Sequence, residues 1–402
     1  MRAPGCGRKK KKKKWERITA VLALVLIAAA WWIGLHRMQG DWMPAVQAAL
    51  PGAVRFESLG GELYAGYGPG EEQVPLGYVA LGEGSGYGGP LRVAVGFNPG
   101  GEILGVEVAE SRETPAYLER VEQAGLLEEL LGRSAASPFQ LEVDLDAVTS
   151  ATMSSRGIAE SVRDSSRAAA EVLHLEVPDP QRPPVQIGFP EVTLAALFGL
   201  GFLGRRRGFE KNGLVRWVSL VGGLVFLGFL FNKPLTLGYL NKFLMGFWPR
   251  WQTHLYWYLL IGGVLGVYLV DRQNPYCEWF CPFGAAQEVL GLVGGAKAVS
   301  AGRYRGFLTW LRRGVVLTAV VAALVYRSPG LTSYEVFGTL FSLVGSNLQY
   351  LLLALVLVTA IFVRRPWCAY LCPLRPVLAW VRTLRNWSVE LWKNAAARRT
   401  QS

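Results

Sequence analysis

The chain contains the stretch Pro275-Tyr276-Cys277-Glu278-Trp279-Phe280-Cys281-Pro282-Phe283 and, 91 residues later, the stretch Pro366-Trp367-Cys368-Ala369-Tyr370-Leu371-Cys372-Pro373-Leu374. Both copies read Pro, aromatic, Cys, three residues, Cys, Pro, apolar. Each copy directly follows a long apolar run, and an uncharged run of about 17 to 20 residues is long enough to cross a bilayer. The pattern therefore predicts an internal repeat within a membrane region.

The whole chain has the composition of a polytopic membrane protein. Its 402 residues are 51% hydrophobic with a mean hydropathy of +0.24, and the apolar residues form nearly uncharged runs. This excludes a simple soluble enzyme and a mainly disordered chain. We predict six α-helical spans at residues 18–36, 189–204, 214–232, 254–270, 308–326 and 347–363.

The charges divide the chain into two unlike parts. Residues 41–187 hold 22 Asp and Glu, 9 Arg and no Lys, whereas the remainder carries a net charge of +25. The loops that we assign to the inside hold 28 Lys and Arg, against five in the outside loops apart from the acidic block. Because positive loops stay in the cytoplasm, we predict that both termini are cytoplasmic and the acidic block is extracytoplasmic.

This division gives five predicted regions. The acidic block has alternating strand patterns at Leu91–Phe97 and Ile103–Val108 and helical spacing at 115–131 and 154–173, so we expect an α/β (α+β) domain. The segment 333–346 is half-apolar and is expected to lie on the outer surface or to re-enter the membrane. The regions are a basic tail (1–17), an uncleaved signal anchor (18–36), the acidic domain (41–187), a five-span membrane domain (188–375) and an amphipathic basic tail (376–402).

Four of the five cysteines lie in the repeated motif. Cysteines at i and i+4 share a helical face, and two such faces can present four thiolates to one site. Four thiolates suit an iron–sulfur cluster or zinc, and spacing alone leaves both open. The alternative is that these thiols are buried packing residues that bind no metal. The predicted metal ligands are Cys277, Cys281, Cys368 and Cys372.

The acidic domain contains a turn rich in hydroxyl groups, Asp146-Ala147-Val148-Thr149-Ser150-Ala151-Thr152-Met153-Ser154-Ser155. It precedes a predicted helix that we expect Ser154 or Ser155 to cap, and backbone N–H groups at a helix start bind phosphate. Two further pieces stand upstream, Gly86-Tyr87-Gly88-Gly89-Pro90 and Glu113-Thr114-Pro115.

The order of these pieces resembles the FMN-binding domain of the flavin subunits of Rnf and of the sodium-translocating NADH:quinone reductase. That family has an Asp-x-x-(Ser/Thr)-Gly-Ala-Thr motif whose last Thr a flavin transferase joins to the FMN phosphate. The resemblance implies a covalent phosphoester at Thr152, with Ser150 standing where the family has Gly. It also implies that flavin-binding residues are Asp146, Thr149, Ser150, Ala151, Ser154, Glu113 and Thr114.

The combination of this domain with two Cys-x-x-x-Cys-Pro motifs is similar to the NosR-like membrane flavoproteins, and the membrane part alone resembles NapH-type proteins. The terminal ferredoxin repeats of NosR are absent from these 402 residues. The resemblance implies transmembrane electron transfer from a cytoplasmic donor, through a cysteine-ligated centre, to FMN outside the membrane. The alternative is a redox sensor or metalloenzyme-maturation factor. Either would be a redox component of a bacterial cytoplasmic membrane rather than a stand-alone enzyme.

The predicted centres lie on opposite sides of a hydrocarbon core roughly 30 Å thick. A haem between His36 and His254, or a quinone within the aromatic segment 248–258, would relay electrons across that gap. We expect the partners to be a flavin transferase, a cytoplasmic electron donor, an extracytoplasmic acceptor and membrane lipids, with no nucleic acid.

Overall fold

The computed structural model describes residues 6–37, 41–70, 74–86, 88–113, 115–141, 143–149, 151–176, 185–204, 213–271, 276–298, 302–332 and 334–399. Two of the predicted flavin-binding residues, Thr114 and Ser150, lie outside these ranges, as does Pro275 of the first cysteine motif. Below, residues 41–176 are called the sheet domain and residues 185–399 the membrane half.

A long helix, α1 (Cys6–His36), precedes the sheet domain. The domain itself contains a five-stranded antiparallel meander in which each strand pairs with the next along the chain. Helix α2 lies before the sheet, and α3, α4 and α5 follow it. The elements are α2 (Met43–Ala49), β1 (Arg55–Gly60), β2 (Leu63–Tyr67), β3 (Gly77–Ser85), β4 (Pro90–Phe97), β5 (Ile103–Ser111), α3 (Pro115–Gln123), α4 (Leu126–Glu129) and α5 (Thr152–Leu173).

Helices cover both faces of the sheet. Strand residues alternate between the faces, so Val93 and Val95 pack under α5 while Ala94 packs under α2. Helix α5 lies unusually close to β3, because a Cβ atom at Gly84 would stand only 1.9 Å from the carbonyl oxygen of Gly157. Glycine at this position therefore sets the distance between the helix and the sheet.

The membrane half contains ten α-helices in its described residues. Helix α7 continues without a break into a π-helical stretch, Gly223–Leu230, and a second π-helical turn spans Tyr276–Phe280. The helices are α6 (Phe189–Leu203), α7 (Gly213–Gly222), α8 (Leu237–Leu244), α9 (Leu255–Asp271), α10 (Pro282–Val293), α11 (Arg305–Tyr326), α12 (Phe337–Phe341), α13 (Asn347–Phe362), α14 (Pro366–Tyr370) and α15 (Leu374–Arg399).

Every predicted span coincides with a helix, but their lengths differ. Among the described residues, three helices are long and apolar enough to cross a membrane: Trp15–His36, Gly213–Leu230 and Gly302–Tyr326. The other three predicted spans correspond to shorter apolar helices, Phe189–Leu203, Leu255–Leu269 and Asn347–Phe362. The chain thus has three candidate membrane spans and a separate antiparallel sheet domain.

The predicted strands and helices agree with the structure where the hydrophobic pattern of the sequence is regular. Strands β4 and β5 and helix α5 lie where alternation and helical spacing placed them. The helix predicted over 115–131 is wrong as a single element, because Gly125 takes a φ of 75° and separates α3 from α4. The half-apolar segment after α11 packs inward, with Val336, Phe337 and Phe341 buried in the core of the membrane half.

Candidate functional site

The two cysteine motifs fold into the same local turn. In the first, the N–H of Cys281 donates to the carbonyl oxygen of Tyr276, and in the second the N–H of Cys372 donates to that of Trp367. Each bond runs from the second cysteine to the aromatic residue before the first, five positions back. This wide turn is the π-helical pattern, which is common at functional sites.

The i, i+4 spacing predicted that the cysteines of each pair share one face of a continuous α-helix. The structure shows that they do not. Cys281 is extended (φ −62°, ψ 118°) and forms the N-cap of α10, while Cys372 lies beyond the end of α14. Proline follows each second cysteine and disfavours helical geometry at the residue before it. The wide turns, rather than a helix face, therefore set the direction of the thiols.

All four motif cysteines line one cavity of about 760 Å³. They are free thiols; Cys281 and Cys372 are buried and Cys277 and Cys368 half-buried. Arginines surround the same cavity, at positions 216, 364, 365, 375 and 382. The structure thus brings the two motifs together, as the repeat predicted.

Side chains next to each motif hold the other motif in place. Gln287, on the helix after the first motif, donates to the Cys368 sulfur (3.5 Å) and accepts from the Trp367 N–H (2.9 Å). Arg365, just before the second motif, donates to the carbonyl oxygen of Cys277 (2.7 Å). Because these contacts are reciprocal, the four sulfurs depend on one another for their positions.

A buried carboxylate supports the arginines of this site. Glu288 contacts Arg216 (2.6 Å) on α7, and the neighbouring Arg364 (3.0 Å) and Arg365 (3.1 Å) just before the second motif. Burial by itself raises the pKa of Glu288, but the three guanidinium groups outweigh it and hold that pKa below its usual value. Glu288 is therefore charged at neutral pH and fixes Arg365 against Cys277.

The chemistry of the thiols favours a metal centre. Burial raises the pKa of all four, to about 11 for Cys281, so the thiols are neutral at pH 7 unless a positive centre stabilises the thiolates. Among the residues described, no group of three or more His, Cys, Asp or Glu side chains is placed to hold one metal ion. Four thiolates suit an iron–sulfur cluster or zinc.

The second site is at the start of α5. Thr152 is the first residue of the helix and is half-buried, next to Ala151, which is buried. Met153 packs against the core of the membrane half, so the helix start faces that half. The free N–H groups of this end suit a phosphate, as predicted.

Other predicted residues of this site have different roles. Asp146 and Thr149 are exposed, and Asp144 instead accepts from the N–H groups of Phe139 and Gln140. The prediction that Ser154 or Ser155 caps α5 is wrong, because the helix begins earlier and Ala151 is the N-cap. The Ser155 hydroxyl donates to the Ala151 carbonyl oxygen (3.2 Å) and accepts from the Val148 N–H (3.3 Å), while the Ser154 hydroxyl is buried.

A glycine turn lies between β3 and β4 at Gly86–Gly89, closed by the Gly86 N–H donating to the Gly89 carbonyl oxygen (2.9 Å). The buried carboxylate of Glu113 accepts from the Gly88 N–H (2.9 Å). The Lys242 ammonium, from α8 of the membrane half, donates to the Gly86 carbonyl oxygen. Glu113, predicted as a site residue, thus shares this turn with a lysine that the sequence did not indicate.

Two short segments of the membrane half touch the cysteine motifs at one end and the sheet domain at the other. In the first, the Leu235 N–H donates to the Tyr276 hydroxyl (2.8 Å), and Lys242 lies seven residues further on. This segment spans at most about 15 Å.

The second segment runs from Phe337 to Ser342. The Phe337 ring packs against Trp367, with 6.1 Å between ring centroids, and the Ser342 hydroxyl is 3.4 Å from that of Tyr117 in the sheet domain. Its helical part spans about 8 Å. Both paths are much shorter than the roughly 30 Å core expected between the two sites.

Sequence reasoning missed Lys242, Gln287 and Glu288. Each had a weak signal, since it is a polar residue within an otherwise apolar helix. The two histidines considered for a haem lie in different environments. His36 is exposed with its ring against Trp32, whereas His254 is buried and hydrogen-bonds to Thr253 (2.9 Å). A haem between them gains no support, and a quinone near residues 248–258 stays a prediction.

Comparison with known families assigns both sites. Residues 86–166 match the FMN-binding domain family, and residues 253–299 and 349–391 match the 4Fe-4S binding domain family. The chain thus combines an FMN-binding domain with two segments of a 4Fe-4S binding domain. The FMN match begins at the glycine turn and includes Glu113 and Thr152, and each segment of the 4Fe-4S match contains one cysteine pair. FMN and an iron–sulfur cluster are therefore its cofactors, and the structure brings together residues suited to each.

One curated relative extends the comparison. The chain is 31% identical over 203 residues to Protein NirI of Paracoccus denitrificans (strain Pd 1222). The alignment covers 47% of this chain and 29% of the relative, so the chain spans less than a third of that protein's length. The resemblance to NosR-like membrane flavoproteins predicted from the sequence is confirmed by this combination of FMN-binding domain, 4Fe-4S domains and NirI similarity.

Proposed function

We propose that this flavoprotein carries electrons across a bacterial cytoplasmic membrane, from a cytoplasmic donor through the iron–sulfur site to FMN outside. The observation that carries the proposal is the pair of short segments between the sites, Leu235–Lys242 and Phe337–Ser342. They provide packed protein between the surroundings of the two sites, across part of the expected bilayer-wide gap. The cofactors supply the redox chemistry, and the chain holds them, sets their spacing and excludes water.

The cluster ligands in this proposal are Cys277, Cys281, Cys368 and Cys372. Support comes from the shared cavity, the matched turns and the reciprocal contacts of Gln287 and Arg365. Four thiolates are the usual ligand set of a 4Fe-4S cluster. The arginines around the cavity offset the negative charge of those thiolates.

The flavin attachment residue in this proposal is Thr152, through a phosphoester made by a flavin transferase. Its place at the first position of α5 puts the phosphate against free backbone N–H groups, where a negative charge is stabilised. Arg156 follows one turn later on the same helix. Asp146, Thr149 and Ala151 belong to the loop that leads to this residue, and Glu113 orders the glycine turn.

The orientation follows from charge. The sheet domain, part of the acidic block 41–187, is placed outside, and the basic tails 1–17 and 376–402 inside. The protein would take electrons from a cytoplasmic donor and deliver them to an extracytoplasmic reductive system. It acts as a redox component in contact with lipid and redox partners rather than as a stand-alone enzyme.

Reporter fusions test the orientation. Alkaline phosphatase, active only outside, fused after residue 176 should be active, and the same fusion after residue 298 should be inactive. A fluorescent protein that matures only inside should give the opposite pattern. Activity of both phosphatase fusions would place the cysteine motifs outside and overturn the proposed direction of electron flow.

A further inference from the structure

Lys242 is the most completely buried charge at the contact between the two halves. It lies on α8, outside the residues that match the FMN-binding family, and its side chain has no exposed surface. Burial lowers the pKa of Lys242 to about 8, although Glu113 and Glu160 act in the opposite direction. Burying an ammonium group costs free energy unless a hydrogen-bond acceptor or an opposite charge compensates for it. We therefore expect this lysine to have a structural or functional role.

The ammonium and the Glu113 carboxylate hold one short turn between them. Lys242 donates to the carbonyl oxygen of Gly86, and Glu113 accepts from the N–H of Gly88. A Cβ atom at Gly86 would lie 1.9 Å from a Glu113 carboxylate oxygen, so a larger residue there would require the Glu113 side chain to shift. The membrane half therefore supports directly the first residues of the FMN-binding region.

Further positively charged side chains lie near the start of α5. The buried His254, the residue before α9, lies within electrostatic reach of Lys242, Arg156 and Lys233. Arg156 belongs to the sheet domain, and the two lysines belong to the membrane half. The carboxylates of Glu113 and Glu160 act on Lys242, and that of Glu191 acts on Lys233, but among the described residues none of them forms an ion pair with these lysines. Both halves thus present cations where the turn and the helix start meet.

We propose that Lys242 is a flavin-site residue contributed by the membrane half, and that its buried positive charge raises the reduction potential of the bound FMN. This rests on the proposed function only in placing FMN at the start of α5, beside the glycine turn. Reduction adds negative charge to a flavin, and a cation in a region of low dielectric stabilises that charge more than it would in water. The membrane half would then set the potential of the acceptor, and separating the halves would lower it.

Two substitutions remove the charge and one keeps it. Lys242→Gln retains a donor for the Gly86 carbonyl oxygen, Lys242→Met is close in shape, and Lys242→Arg keeps the charge. Lys297→Met, at an exposed lysine in the connection after α10, is the matched control. The full-length protein, made in a host with flavin transferase, is titrated by spectroelectrochemistry at pH 7, and intact mass gives its FMN content.

We expect the flavin of Lys242→Gln and Lys242→Met to have a more negative potential than that of the wild type. Lys242→Arg and Lys297→Met should stay close to the wild-type potential. Equal potentials in wild type and Lys242→Gln, at equal FMN content, would overturn the proposal. FMN missing from the wild type would instead contradict the proposed function, which separates the two failures.

A second measurement needs no variant. Iodide quenches the fluorescence of flavin that is open to water, and FMN held between the two halves should be quenched far less than free FMN. Wild-type FMN quenched as strongly as free FMN would place the flavin away from Lys242 and overturn the proposal, even if the charge-removing variants fail to fold.

Discussion

The Lys242 ammonium and the Gly86 carbonyl oxygen form a buried hydrogen bond between the membrane half and the sheet domain. Arg112 adds a second link by donating to the Tyr326 carbonyl oxygen (2.9 Å), and Tyr117 a third through Ser342. A buried polar contact is costly when its partner is lost. The sheet domain is therefore held against the membrane half at the same turn with which its FMN-binding region begins.

The cysteine pairs are expected to act as one site. Cys277→Ser, Cys281→Ser, Cys368→Ser and Cys372→Ser should each remove most of the bound iron, because every thiolate serves the same cluster. Iron assay and visible absorption of the purified protein give the result. Cys6→Ser, which changes the fifth cysteine, should leave the iron in place. Retention of the full iron content after loss of one whole pair would show that the site is not shared.

Glu288→Gln should destabilise the cysteine site. Removing one partner from a buried ion pair costs roughly 3 kcal/mol or more, since the remaining charges lose their counter-charge. The measurement is thermal unfolding together with iron retention. Glu390→Gln, in the exposed pair with Arg17, is the control and should change the stability by less than about 1 kcal/mol. Equal effects of the two substitutions would remove Glu288 from its supporting role.

The pH dependence of this support has a definite sign. Because the folded pKa of Glu288 is below its usual value, its stabilisation is present at neutral pH and is lost only as the pH falls through that lowered pKa. Wild type and Glu288→Gln should therefore differ most in melting temperature near pH 7 and converge in acid. A difference that grows on acidification would contradict this assignment.

Thr152→Val should abolish covalent flavin, because valine keeps the shape of threonine but lacks the hydroxyl that the phosphoester needs. Thr149→Val, at an exposed threonine of the same loop, should weaken the attachment less, because its hydroxyl does not form the phosphoester. Intact-mass spectrometry of protein made with the flavin transferase distinguishes the two. A mass that still includes FMN in Thr152→Val would move the attachment to another residue.

The approach of α5 to β3 predicts a steric effect at Gly84. Gly84→Ala places a methyl group against the Gly157 carbonyl oxygen and should destabilise the sheet domain by roughly 1–3 kcal/mol. Gly68→Ala is the control, because a Cβ atom there has no neighbour within 4 Å. Thermal unfolding followed by flavin fluorescence measures both. Similar melting temperatures for the two variants would show that α5 moves away from the sheet at little cost.

The parts of the fold that were predicted correctly are those with a repeated local pattern. The cysteine motifs, the apolar helices and the alternating strands β4 and β5 each carry their signal within a few residues. Strand β3 was not predicted, because its glycines, Gly82 and Gly84, are typical of turns. The structure shows instead that they allow α5 to lie close to the sheet.

The relation between the two sites could not be predicted from local patterns. Leu235 and Tyr276 are 41 residues apart, and Phe337 and Trp367 are 30 apart, yet each pair is in contact. Such contacts depend on how α8 and α12 pack, and the hydrophobic periodicity of the sequence contains no information about that packing. Local patterns therefore pointed to the residues of each site, but not to the packed segments that link their surroundings.

Electron transfer between the two sites is the central claim, and flavin reduction in vesicles tests it most directly. The purified protein is inserted into lipid vesicles in one orientation, and dithionite, which does not cross lipid, is added on the side of the cysteine motifs. The wild-type flavin should lose its blue absorbance, while the flavin of Cys277→Ser should stay oxidised until dithionite reaches the flavin side. A wild-type flavin that stays oxidised with dithionite on the cysteine side, yet bleaches when it is added on the flavin side, would contradict the account.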